Sequence, residues 1–346
     1  MLAQPVLSSF IENSLTGKIL PSGILPVNNN PSLVEIANFN TAVVVDKDGQ
    51  TPVAMGIMTK CNARQAYCMV GKVADKYARH SVSVEQVEEE GEDNQKHAVY
   101  KVVDSFEGSV DKSLMRPYHA VFEDEEKKFL EVTLADSLFE QTLGTFNMDM
   151  EKNITIDIVG VDNQNLDIWR DRSGFVVSDS NKFVQMTVSK TKMMDVFSDV
   201  GSKTDAAINQ IGKDNISDVL DFDETVTMYQ RSTYLNYLIG QPQIRAFVAT
   251  SGPGCVSGYA LASPDRVLQC YAETSETAAK LLTTVASTSP SDEITFFANS
   301  GVNSLVDGLQ ETATNVDIVT RLHTRTKNVQ VKWPLVTIAN IGLSIL

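Results

Sequence analysis

Residues 153–175, NITIDIVGVDNQNLDIWRDRSGF, decide how this chain is read. The run from Ile154 to Val161 is apolar and rich in β-branched residues, the signature of a strand. Polar residues opening on Asn163 follow it, with Leu166 and Trp169 spaced for one helical face, and the stretch stops at Gly174 and Phe175. A new strand pattern, VVSDSNKFVQMTV (176–188), starts at once.

The same plan returns further along. Shifted by 140 residues, ITIDIVGVDNQNLDIW from 154 falls without a gap on ITFFANSGVNSLVDGL from 294, pairing Ile154 with Ile294, Thr155 with Thr295, Asn163 with Asn303 and Asp167 with Asp307. Upstream, TAVVVDKDGQTPVAMGIM (41–58) reads as strand, Asp-Gly turn, strand, and RAFVATSGPGCVSGYALA (245–262) repeats it around Gly-Pro-Gly. Helical periodicity recurs too: Leu130, Leu134, Leu138 and Phe139 share one face, as do Ala278, Leu281, Leu282 and Val285. Each half therefore reads hairpin, strand, helix, strand, helix, strand, and the chain is expected to be a duplicated α/β domain with mixed, twisted sheets flanked by helices. The expected domains are 1–195 and 205–346, joined near SKTKMMDVFSDVGSKTD (189–205), a polar and mostly helical stretch. Within the first, the acidic run SVEQVEEEGEDNQKH (83–97) reads as a solvated insertion loop.

Bulk properties limit the function classes. A chain of 346 residues with 42% hydrophobic and 21% charged residues is ordinary globular material of about two domains. A net charge of −15 and a pI near 4.7 argue against nucleic acid and anionic membrane as partners, since both are bound through Lys and Arg. The longest apolar stretch, LVTIANIGLSIL (335–346), is too short and polar to span a bilayer, and a cytoplasmic protein is expected. Cys61, Cys68, Cys255 and Cys270 are spaced for buried thiols, and scattered His80, His97, His119 and His323 imply no metal site. The glycines of TSGPGCVSGYA (250–260) lie inside a hairpin rather than opening a helix, so neither a P-loop nor a dinucleotide fingerprint fits.

The order of elements, with N-x-x-L-x-x-W-R-x-x-x-G-F from Asn163 to Phe175, resembles the GNAT superfamily of acyl-CoA-dependent N-acyltransferases, in a tandem two-domain form. The resemblance implies a cleft that takes the pantetheine arm of acetyl-CoA or another acyl-CoA, a loop at a helix N-terminus that takes its pyrophosphate, and an amine acceptor of unspecified identity. It implies cofactor contacts for the backbone of His119, Ala120 and Val121, for Lys127 and Lys128 at the phosphates, and for Asn163. No catalytic residue follows from it.

The chain departs from that pattern in three places. The segment before the first long helix, AVFEDEEKKF (120–129), has no glycine and brings Glu123, Asp124, Glu125 and Glu126 where phosphates are expected; like charges at ~4 Å repel by about 4 kcal/mol at an effective dielectric of ~20. In the second half, Thr274 or Ser275 reads as the N-cap of a structurally closed helix. A tyrosine that would protonate the leaving thiolate is replaced by Arg170, and by Gln310 in the second half. Three function classes stay open: an acyltransferase with a divergent phosphate loop, a catalytically inactive GNAT-fold module, and an unrelated enzyme on the same scaffold. Arg231 and Leu235, with Tyr229, Tyr234 and Tyr237, are further candidates for lining a ligand site, or for core packing.

Overall fold

A computed structural model describes residues 39–60, 65–70, 73–78, 80–92, 95–106, 128–144, 152–159, 166, 168–228, 230–252, 254–300, 304–327 and 331–339. The chain divides into two compact units, residues 1–179 with 321–327, and residues 180–320 with 328–344. The division falls at Asp179, ahead of the helical stretch at 189–205, and a short late segment belongs to the first unit.

Unit 1 opens with a meander: β1 (Phe39–Val45), β2 (Pro52–Lys60) and β3 (Gln65–Val70), each antiparallel to the last. The β1–β2 turn is built by Asp48, whose carboxylate accepts from the Gln50 and Thr51 amides and the Thr51 hydroxyl, with Gly49 at φ 71° supplying the left-handed position. The acidic run is not a loop. It forms β4 (Ser81–Glu92), paired antiparallel to β5 (Gln95–Phe106), and β5 in turn lies parallel to β1. Register shifts at Ser83/Val84 and Gln86/Glu88 bulge this strand. Val82 and Val102 turn into the core while Glu85 and Val87 face solvent, so alternation hides the strand beneath its charge.

β6 (Lys128–Phe129) pairs with β4 and leads into α1 (Leu130–Leu143). Leu130, Leu134, Ala135, Leu138 and Phe139 of α1 lie mainly against β1 and β2 and share one core with Ala42, Val44, Ala54 and Met58 of those strands, with Ala66, Cys68 and Val70 of β3 and with Ile154, Ile156 and Ile158 of β7 (Asn153–Val159). Each such fully buried aliphatic side chain contributes about 1.5–3 kcal/mol. Gly56 on β2 lets α1 sit close: a Cβ there would stand 2.8 Å from Leu138 Cδ1. A π-helical turn at Ile168–Arg172 then carries Trp169 into the core, where Phe175 meets it edge-on at 6.0 Å; Gly174, at φ 80°, makes the bend between them. β8 (Val177–Ser178) follows, and Leu322 and His323 pair with it.

Unit 2 runs β9 (Lys182–Ser189), α2 (Lys190–Gly201), β10 (Ala207–Gln210), α3 (Ile216–Thr227), α4 (Ser232–Gly240), β11 (Arg245–Thr250), β12 (Val256–Ala262), β13 (Val267–Ala272), α5 (Ser275–Thr288), β14 (Glu293–Ser300), α6 (Ser304–Gln310), β15 (Asn315–His323) and β16 (Val336–Ile338). β10 to β13 form an antiparallel meander, and β14, β9 and β15 form a second antiparallel group. The apolar face of α5, Ala278, Leu281, Leu282 and Val285, is fully buried against the meander. Meander, helix and a following strand thus recur in both units. β15 gives Asn315–Thr320 to unit 2 and Arg321–His323 to unit 1. Among the described residues no helix is long and apolar enough to cross a membrane. Cys68 and Cys270 are buried, and burial pushes both thiols up, whereas Cys255, in the β11–β12 turn, is exposed.

Candidate functional site

The site in unit 1 starts from a fork. β3 and β7 run parallel and are paired from Gln65/Asn153 to Cys68/Ile156; beyond that β3 continues to Val70 and β7 to Val159 without pairing to each other. No described strand pairs into this opening. Phe129, Val132 and Ile168 form a small cluster, which brings the first turn of α1 against the π-helical turn that follows β7. The N-cap of α1 is Phe129, with no side-chain hydrogen bond to the first-turn amides.

One sheet face at the fork packs on α1 and the other is polar, as the period of two requires. On the polar face Asp157 accepts from the Tyr67 hydroxyl at 2.8 Å and from Arg321 Nε and Nη2 at 2.8 and 2.7 Å. The pair is sealed, with the Arg321 and Asp157 side chains 3% and 0% exposed, and Asp157 holds the guanidinium pKa well above its ordinary value against the pull of burial. One step along the strands, His323 stands between the Thr155 hydroxyl (2.8 Å from Nδ1) and Asp179 (3.0 Å from Nε2). Gln65 donates to Thr155, Asn153 donates to Gln65, and Asn153 Oδ1 accepts from the Arg325 and Thr326 amides. Every link from β7 to residues 321–326 is a contact across more than 160 positions of sequence.

Unit 2 has the same ground plan and a different outcome. β13 and β14 touch at Arg266/Thr295, a parallel bridge, and then part. Here the opening is filled: Cys270 pairs with Ile338 and Tyr271 with Val336 on one side, and the Ala339 amide donates to the Phe297 carbonyl at 2.9 Å on the other. At α5 the Thr274 hydroxyl accepts from the Thr277 amide, the expected structural cap. On the polar face, Tyr259 and Gln269 meet Asp223 of α3, which is clasped by Arg231 Nε at 3.0 Å and by Nη2, with the Tyr259 hydroxyl on the same carboxylate and Gln269 donating to Tyr259. Arg231 lies 5.7 Å from the ring centroids of Tyr234 and Tyr271. Burial raises the Tyr259 and Tyr271 pKa values, the Asp223 charge adding to it.

The sequence-expected cofactor residues fare as follows. His119, Ala120, Val121, Lys127 and Asn163 lie outside the described residues, as do Tyr229 and the acids 123–126. Lys128 is in β6, where it pairs with Asp136 at 2.7 Å. The strand that runs parallel to β7 and forks from it is β3, far upstream of α1, because β4, β5 and β6 intervene before the helix. Arg170 is exposed, Trp169 is a core side chain, and Leu235 is fully buried. Tyr67, Asp157, Arg321 and His323 carry no local motif; alternation of polar residues along NITID and TRLH is their only trace in the sequence.

The fold is similar to that of solved structures. A candidate acetyltransferase from Pyrococcus horikoshii superposes with a TM-score of 0.51 at 13% identity, over 84% of this chain and 76% of its own. The chain has the GNAT fold. A GCN5-related N-acetyltransferase from Sphaerobacter thermophilus is similar at TM-score 0.43 and 9% identity (82% and 81% covered), and one from Kribbella flavida at 0.40 and 9% (80% and 58% covered). Residues 26–177 match a family described as a domain of unknown function, DUF7596. No curated protein matches the sequence.

Proposed function

We propose that this GNAT-fold chain is an acyl-CoA-dependent N-acyltransferase whose cofactor site is the fork between β3 and β7. The observation that supports it is the asymmetry of the two openings: the fork of unit 1 is unfilled by any described strand, whereas that of unit 2 is closed. Backbone groups of Met69–Val70 and Asp157–Val159 would pair with the amides of a pantetheine arm, and the first-turn amides of α1 would meet the pyrophosphate. In the transfer the amine nitrogen of the acceptor attacks the thioester carbonyl and the C–S bond breaks. The departing thiolate takes up the equivalent of the proton the amine gives off. Asp157 is already committed to three donors, so it anchors the floor of the fork rather than acting as a free base.

A thermal shift with acetyl-CoA tests this, since a ligand at ~100 times its Kd adds about 2.7 kcal/mol. No shift at millimolar acetyl-CoA and CoA rules the reading out. Lys127→Glu with Lys128→Glu is expected to weaken binding, and added salt to weaken it further.

One observation favours a second reading, a GNAT-fold module that binds without transferring: Arg170 stands where the resemblance places a proton-donating tyrosine, and arginine does not release its proton. Binding of CoA with no transfer of label from acetyl-CoA to any amine in a panel of small amines and peptides would select it.

A further inference from the structure

The filling of the second opening bears on how many ligands the chain takes. Parallel strands that diverge leave facing backbone N–H and C=O groups without partners, and buried groups of that kind need them. In unit 2 the partners are residues 336–339. Val336, Thr337, Ile338 and Ala339 are 1%, 2%, 0% and 1% exposed, and Ile338 belongs to the same core as Cys270, Leu281 and Phe296. The segment is held from its amino side as well: the Lys332 amide donates to the Val226 carbonyl at 3.0 Å, and Trp333 lies against Phe183 with ring centroids 5.2 Å apart. The helix start nearby is spent on its own cap, Thr274.

We propose that β16 is a built-in occupant of the second cleft: a strand of the chain itself that serves the backbone of β13 and β14 as an extended ligand would, so that unit 2 is permanently closed to a pantetheine-type arm. The consequence for stoichiometry, one acyl-CoA per chain and in unit 1, rests on the function proposed above. Closure itself does not.

Hydrogen exchange read by mass spectrometry on the full chain, with and without CoA, separates the two. Without ligand, peptides covering 267–272 and 336–339 are expected to exchange as slowly as the β11–β12 core. With CoA, protection is expected to rise at 65–70 and 153–159 only, with calorimetric titration giving one site. Fast exchange of 336–339 in the free protein, or CoA-dependent protection of 267–272, or two sites, overturns the proposal. If CoA does not bind while 336–339 stay protected, the acyltransferase reading fails and the closed cleft stands. A second variant checks permanence. Ile338→Cys faces the native Cys270 across the strand pair, and its oxidised, cross-linked form is expected to bind CoA as the parent does; loss of CoA binding on cross-linking that reduction restores would mean that β16 must leave, and would overturn the proposal.

Discussion

Asp157 is a fully buried carboxylate of unit 1 that accepts from three donors. Removing its partner leaves a sealed carboxylate without a counter-charge, so Arg321→Met is expected to cost about 3–5 kcal/mol in urea unfolding at neutral pH. Adding Asp157→Leu to that variant is expected to return most of the loss, because two apolar side chains can replace a buried pair at little cost. Equal destabilisation of both variants would show that the cluster does more than neutralise itself. On the surface, hydrogen bonds from the Thr51 side chain, then from the Thr51 and Gln50 amides, hold the Asp48 pKa down at about 2, and Lys76 followed by Tyr77 lowers that of Asp46. Both folded values lie below the unfolded value of ~3.9, so the stability these groups lend is present above about pH 4 and lost as pH falls toward 2. Thr51→Val is expected to raise the Asp48 value in an NMR titration and to flatten the fall of stability in that window.

Helices and hairpins are where local sequence speaks most directly. The faces of α1 and α5 and the turns at 46–51 and 251–255 were legible because each depends on residues a few positions apart. β4 and β5 were not, because charge dominates their composition while the pairing that holds them, with β1, is remote. The separation of β3 from α1 is hidden for a related reason: the repeat suggests that strand and helix adjoin, as β13 and α5 do, but in unit 1 the β4–β5 hairpin and β6 stand between them. Close packing of elements yields a paired test. A Cβ at Gly201 of α2 would stand 2.9 Å from Lys280 N and Cα of α5, so Gly201→Ala is expected to force the helices apart and cost about 1–3 kcal/mol. Gly308 of α6 has nothing nearer than Val196 Cγ1 at 4.0 Å, and Gly308→Ala is expected to be neutral or to stabilise by up to about 1 kcal/mol. Thermal unfolding of the two variants against the parent checks both signs.

At the scale of the whole chain, the duplication can be read from the order of elements, but the exchange of a terminal segment cannot. Residues 321–327 belong to unit 1 although 141 residues of unit 2, from Ser180 to Thr320, precede them. Local pattern assigns TRLHTR to the half in which it is written, and only the contacts of Arg321, His323, Thr324 and Arg325 with β7 reassign it. Unit 1 is therefore not encoded by the first half of the gene alone. A fragment of residues 1–179 keeps Tyr67, Thr155, Asp157 and Asp179 but loses the guanidinium that pairs with Asp157, the imidazole between Thr155 and Asp179, and the amides that satisfy Asn153. Desolvating the two carboxylates without those partners costs several kcal/mol, comparable to the whole stability of a typical domain. The fragment is expected to lack a cooperative thermal transition by circular dichroism, and a version with residues 315–327 fused through a flexible linker is expected to regain one. Cooperative unfolding of the unfused fragment at a midpoint near that of the full chain would show that the late segment is dispensable, and with it the role assigned to Arg321.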